Sequence, residues 1–255
     1  MRDPHVVYLQ YKVKTPENIT FNKNQVIKGI QNKFEFRLEN GFLTCFMEDH
    51  FPSAKEARKA VEGFLRSWEI KAALEVGYKQ IIFQFEDAKI IDRNPPLPGS
   101  PKIVSVSATA NIETSFSAKI SVKNRRLPDP PVLFNATQDV KDLWGRYINY
   151  LEGKELLLSM AYNCLTSVES KAGGRKEAVN LFKIDFKILD TLGRLTAKGD
   201  EKTARKVTVK EKLAPLSNKE INWIEEAVKA LIRRMGELEN IHMVPFINIS
   251  DLPIL

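Results

Sequence analysis

The spacing of apolar residues changes from two to about 3.6 near Pro128–Pro131, and this change constrains the chain more than any other feature. Before it, large apolar side chains alternate with polar ones, as in half-buried strands. After it, they recur every three or four positions, as in helices with one buried face. The pattern predicts an α+β chain: an antiparallel sheet with one packed helix over 1–127, a linker over 128–134, and a helical bundle over 135–255.

In the first part, VVYLQYKVK (6–14), FEFRLENGFLTCFM (34–47) and QIIFQFEDAKIID (80–92) read as strands. Asn40-Gly41 lies between Phe34, Phe36, Leu38 and the following apolar run, and both residues tolerate positive φ, so 34–47 is expected to be a hairpin. Ser53 opens a helix, with Glu56 placed to complete a capping box. Ala57, Val61, Phe64, Trp68 and Ala72 then form a stripe expected to lie across one face of the sheet, and Gly77 supplies the exit. From Val104 to Val122 the even positions are mainly apolar; unchanged parity along so long a stretch predicts an odd-length turn or bulge near Asn111. KNRRLPDPPVLF (123–134), with its prolines and charges, suits an exposed junction.

In the second part, Val140, Leu143, Trp144, Tyr147, Ile148 and Leu151 mark one helix, and Leu156 to Val168 a second that stops at Gly173-Gly174. Arg175 to Lys183 and Ile188 to Leu195 form a short pair, with Ile184 at the corner and Asp185 capping the second. The last helix opens on a Ser217/Glu220 capping box and continues through Ile221, Ile224, Val228, Leu231 and Met235 to Leu238. Its glutamates come early, and Arg233 and Arg234 come late, the order that complements the helix dipole.

The net charge is +7, and residues 172–212 hold eleven Lys and Arg against six Asp and Glu. The short pair has helix-turn-helix spacing, which would bring Phe186, Lys187, Asp190 and Thr191 near base edges. Arg175, Lys176, Lys183, Lys187, Lys198, Arg205 and Lys206 are the candidate phosphate contacts. Two bundle helices with solvated basic faces account for the same residues, so both readings stand at this point. No aromatic residue interleaves with the basic run over 196–217, which argues against a base-stacking platform.

Other chemistry is sparsely represented. Cys45 and Cys164 lie in apolar surroundings without CxxC spacing and read as small buried thiols. The three histidines, His5, His50 and His242, are scattered, and neither HExxH, a phosphate loop nor a G-x-S-x-G elbow occurs. The sequence therefore implies no cofactor and no metal. Glu48, Asp49 and His50 form the strongest local acid–base group, the basis of a hydrolase alternative with an interdomain site, and Asp92-Arg93 ends a strand where it could position an anion. No stretch approaches 18 apolar residues and no signal-like start is present, so the expectation is a cytoplasmic protein without a membrane partner.

Residues 153–238, with a hydrophobic helix, a short helix pair, the GDEKTARK connection and the LSNKEINWIEEAVKALIRRMGE helix, resemble the helical C-terminal region of uncharacterised bacterial proteins. More loosely they resemble HEPN-type helical domains of the Apea-like and MauJ-like groups. The resemblance implies a helical fold and self-association, since HEPN families often dimerise. Some cleave RNA through an Arg and a His a few residues apart on one helix, whereas 153–238 contains no histidine. The expected function is protein interaction or self-association without catalysis, as a homo-oligomer or with another protein. Nucleic-acid association is the alternative.

Overall fold

A computed structural model describes residues 3–15, 19–21, 25–78, 81–94, 123–125, 127–197 and 215–255. They group into two compact units, Met1–Leu65 with Glu75–Asp129, and Arg66–Leu74 with Pro130–Leu255. The expected α+β order holds: an antiparallel sheet with one helix precedes a bundle of several helices.

The first unit contains a five-stranded antiparallel sheet ordered β3-β4-β5-β1-β6, from β1 (Pro4–Lys14), β3 (Ile27–Gln31), β4 (Phe34–Glu39), β5 (Phe42–Met47) and β6 (Ile82–Asp92). Glu39 pairs with Phe42 across Asn40 (φ 52°) and Gly41 (φ 79°), the two-residue turn whose twist suits a hairpin. Phe34, Phe36 and Leu38 share the buried side with Leu43, Cys45 and Met47. Against them lie Ala57, Val61 and Leu65 of α1 (Ala54–Val76), and the partly exposed Phe64 ring sits 5.6 Å from Phe34 and 4.8 Å from Phe36. Ser53 Oγ accepts the Glu56 N–H at 3.3 Å, starting the helix as the sequence implies, and Gly77 leaves it at φ 116°. A parallel pair, β2 (Ile19–Phe21) with β7 (Lys123–Arg125), completes the unit's strands among the described residues.

Three expectations need correction. The α1 stripe does not belong wholly to the sheet, because Arg66–Leu74, including the fully buried Trp68, group with the second unit. There the Ala136 N–H donates to Ser67 Oγ at 2.9 Å. Helical periodicity marks which side of α1 is buried, but it does not distinguish one partner from two. The junction over 127–134 is only partly exposed: Asp129 and Val132 face water, Leu127 and Phe134 are buried, and Lys123–Arg125 before it form β7. The Leu127 N–H is satisfied by Gln25 Oε1 at 2.9 Å, so burying this proline-rich chain leaves no donor stranded there. The last helix stops at Gly236, short of Leu238. The alternation over 104–122, with its turn near Asn111, lies outside the described residues.

The second unit is built from α2 (Gln138–Leu151), α3 (Leu157–Ala172), α4 (Arg175–Phe182), α5 (Phe186–Thr196) and α6 (Asn218–Gly236). Helix α3 packs against each of the other four. Its Met160, Ala161, Cys164 and Val168 are buried beside Ile188, Leu189 and Leu192 of α5 and Trp223, Val228 and Leu231 of α6. Ser217 and Glu220 make the reciprocal capping box expected for α6. Helix α6 ends where Phe134 covers Gly236: a Cβ added there would lie 2.2 Å from the ring. No described helix is long and apolar enough to cross a membrane.

Three expected outcomes test this packing. Gly236→Ala forces the buried Phe134 ring to move and is expected to cost about 1–3 kcal/mol in urea unfolding. Gly41→Ala meets no atom within 4 Å, so its expected loss of about 1–2 kcal/mol is entirely backbone strain at positive φ. Burial pushes the Cys45 and Cys164 thiols up to about 12; both are expected to resist a thiol reagent at pH 8 until denaturant is added.

Candidate interaction surface at the helix corner

Helix α4 ends with Lys183 in the left-handed region (φ 45°, ψ 53°), Ile184 turns inward and is fully buried, and Asp185 caps α5 by accepting the Lys187 N–H at 2.9 Å. A non-glycine residue in this conformation is strained, so its surroundings must hold it there. The chain after α6 does so. The Ile247 N–H donates to the Lys183 carbonyl and the Asp185 N–H to the Ile247 carbonyl, both at 2.9 Å, forming a parallel bridge between Ile184 and Ile247. Lys183 Nζ donates to the carbonyls of His242 and Val244, each at 3.3 Å.

The same tail is anchored from α6. Arg234 is buried; its Nη1 meets Glu237 Oε2 at 2.5 Å and its Nη2 donates to the Pro245 carbonyl, while its Nε is buried without a hydrogen-bond partner. Burial disfavours charge on both members, lowering the guanidinium's pKa and raising the Glu237 carboxyl's, and each partner's charge opposes that effect. Sequence reasoning assigned Arg234 to the helix dipole and did not foresee this inward role. The apolar character of Val244-Pro245-Phe246-Ile247 was the available signal that the tail packs rather than trails.

On the segments that the bridge joins, four large apolar side chains are partly exposed. Leu181 at the end of α4 is 36% exposed, Phe186 at the start of α5 is 42% exposed, and Met243 and Phe246 of the tail are 60% and 43% exposed. Each lies within two residues of a group that forms the bridge or the Lys183 contacts. Single exposed apolar residues are ordinary, whereas several on segments joined by one bridge are candidates for contact with another protein.

Two of the candidate phosphate contacts, Arg175 and Lys183, already have partners within the fold. Arg175 Nε binds Glu169 at 2.5 Å and its Nη1 reaches Asp190 at 3.4 Å, so its guanidinium joins α3 to α5. It lies over Gly193, where a Cβ would come within 2.8 Å of Nη2. Lys183 serves the tail carbonyls. Lys176 and Lys187 are exposed, and Lys198, Arg205 and Lys206 lie outside the described residues. On α5, Thr191 is buried, and Asp190 is shared by Arg175 and Arg194, the latter at 3.5 Å.

Other sequence candidates serve local structure. Glu48 and Asp49 are exposed, while His50 Nε2 is 3.3 Å from Asp3. Asp92 Oδ1 accepts the N–H groups of Asp3 and Asn94 at 2.9 and 3.0 Å, tying two strand ends together. No group of three or more His, Cys, Asp or Glu among the described residues is arranged to hold a metal ion. A cavity of about 390 Å³ lies between α5 and the start of α6, lined by Thr191, Arg194, Leu195, Ser217, Lys219 and Glu220 among others. Two of its polar members are engaged already, Glu220 in the capping box and Arg194 with Asp190 and Thr191.

Comparison of the chain with protein-family models, with curated proteins and with solved structures found no match.

Removing the buried cation is the direct test of the tail's anchorage. Arg234→Ala leaves Glu237 without its partner and is expected to cost about 3–5 kcal/mol in chemical denaturation, with earlier proteolytic cleavage across 243–251.

Proposed function

We propose that this protein acts by association rather than by catalysis, and that it self-associates through the corner bearing Leu181, Phe186, Met243 and Phe246. The observation that carries this reading is the placement of four partly exposed large apolar side chains on backbone held by the Ile184–Ile247 bridge. A surface ordered before binding gives up little conformational freedom when covered, which favours association. The resemblance of 153–238 to HEPN-type domains points the same way, because those families often dimerise.

Sedimentation velocity of the full chain over a range of concentrations tests the proposal. A concentration-dependent dimer is expected, and Phe186→Glu together with Met243→Glu should weaken it at least about tenfold, equivalent to about 1.4 kcal/mol. Met243 is mostly in water and Phe186 a little under half, so the variant's unfolding midpoint should fall only slightly and the variant should stay folded. A chain that remains monomeric throughout, or a variant that dimerises equally well, rejects the self-association proposal.

Phosphate binding is the second reading, supported by the exposure of Lys176 and Lys187 and by the basic excess over 172–212. It would rest on those two lysines together with Lys198, Arg205 and Lys206, since Arg175 and Lys183 have internal partners. Fluorescence anisotropy with duplex DNA, single-stranded DNA and RNA at two salt concentrations separates it from the first: phosphate binding weakens as salt rises.

A further inference from the structure

Strand β1 is fastened in two different ways along its length. From Tyr8 to Lys12 it is paired on both sides, with β5 and with β6. Residues 4–6 lie beyond a register shift at Val7 and pair only with Ile90–Asp92 of β6. On their other side the backbone attachment is the Val6 N–H donating to the Phe51 carbonyl at 2.9 Å. The side-chain attachment is the His5 ring stacked on His50, with centroids 5.5 Å apart and planes inclined by 15°. His5 is more than nine-tenths buried, and its Nδ1 is sealed from solvent without a hydrogen-bond partner. The strand start is therefore a separable piece, fixed on one side by two titratable rings.

The groups around His5 oppose a proton on its ring more than they favour one. Among the described residues, Arg93 and His50 act against a proton on His5, while Asp3 favours one. Asp3 also lies 3.3 Å from His50 Nε2. Asp92 is committed to the N–H groups of Asp3 and Asn94, and Glu48 and Asp49 stand exposed on the segment that carries His50. Burial is the main effect holding His5 below the ordinary histidine value, and Arg93 and then His50 add to it.

We propose that the His5–His50 stack is an acid-released latch: with His5 neutral it fastens residues 3–6 to the 48–51 segment, and protonation of His5 separates the rings and releases the strand start from that segment, while its pairing with β6 remains. The direction follows from linkage. Once released, His5 binds a proton more readily than in the closed form, so the closed form dominates above about pH 6.5, the ordinary histidine value. Below it, the ratio of released to closed chain rises by up to about tenfold per pH unit until closed His5 itself titrates. The latch lies in the first unit and does not depend on the corner proposed for association.

Amide hydrogen exchange by NMR on the full ¹⁵N-labelled chain, corrected for intrinsic exchange, tests it between pH 7.5 and 5. Protection of the Val6 amide is expected to fall progressively below about pH 6.5, following the His5 ring titration, while the amides of Leu9–Tyr11 stay protected. His5→Phe keeps a buried flat ring that cannot titrate and should remove the pH dependence. Should that variant fail to fold, His50→Gln serves at a half-exposed position: without the stacked ring that lowers it, the His5 titration should move up and the latch's dependence on it should weaken. Val6 protection that falls no more than that of Leu9–Tyr11, or that falls equally in the substituted chain, overturns the proposal.

Discussion

The order of the second unit after α6 depends on one buried guanidinium. Arg234 carries its charge into a region where charge is costly, and Glu237 with the Pro245 carbonyl offsets that cost by neutralising and hydrogen-bonding it. The attachment of Pro245 brings Ile247 to Ile184, and that bridge in turn steadies Lys183 in its strained conformation. Such a chain of dependence makes the tail after α6 part of the folded unit. It also gives the outer apolar side chains a fixed setting.

Much of the architecture could be read locally. Asn40-Gly41, the Ser53 and Asp185 caps and the Ser217/Glu220 box depend on side chains acting within three residues of themselves, and the structure forms each of these turns and caps. Long-range partnership was less legible. The apolar stripe of α1 has the correct period, yet it does not encode that Trp68 belongs with the helical residues instead of the sheet. Phe134 is similar: a neighbourhood of prolines signals a break in regular structure, but the pocket it fills is made by Gly236, far along the chain.

The basic residues show why charge in sequence is a weak guide to a binding face. Arg175 and Lys183 are as cationic on paper as Lys176 and Lys187, but the first two are turned to partners within the fold. A guanidinium's planar donors suit it to joining two carboxylates, and Glu169 and Asp190 on different helices make use of this. Glycine at 193 leaves the room in which Arg175 lies. None of that arrangement follows from counting positive residues.

The contact between the two ends of the second unit has a kinetic meaning. Asn135 reaches Glu239 across 104 residues, beside the hydrogen bond from the Asn135 N–H to the Gly236 carbonyl. Closing so long a loop carries an entropic penalty that neighbouring helices must first help to reduce by bringing the chain together. The helix pairs therefore have a route to assemble before this clasp shuts, and the clasp belongs to the late, slow part of the folding reaction.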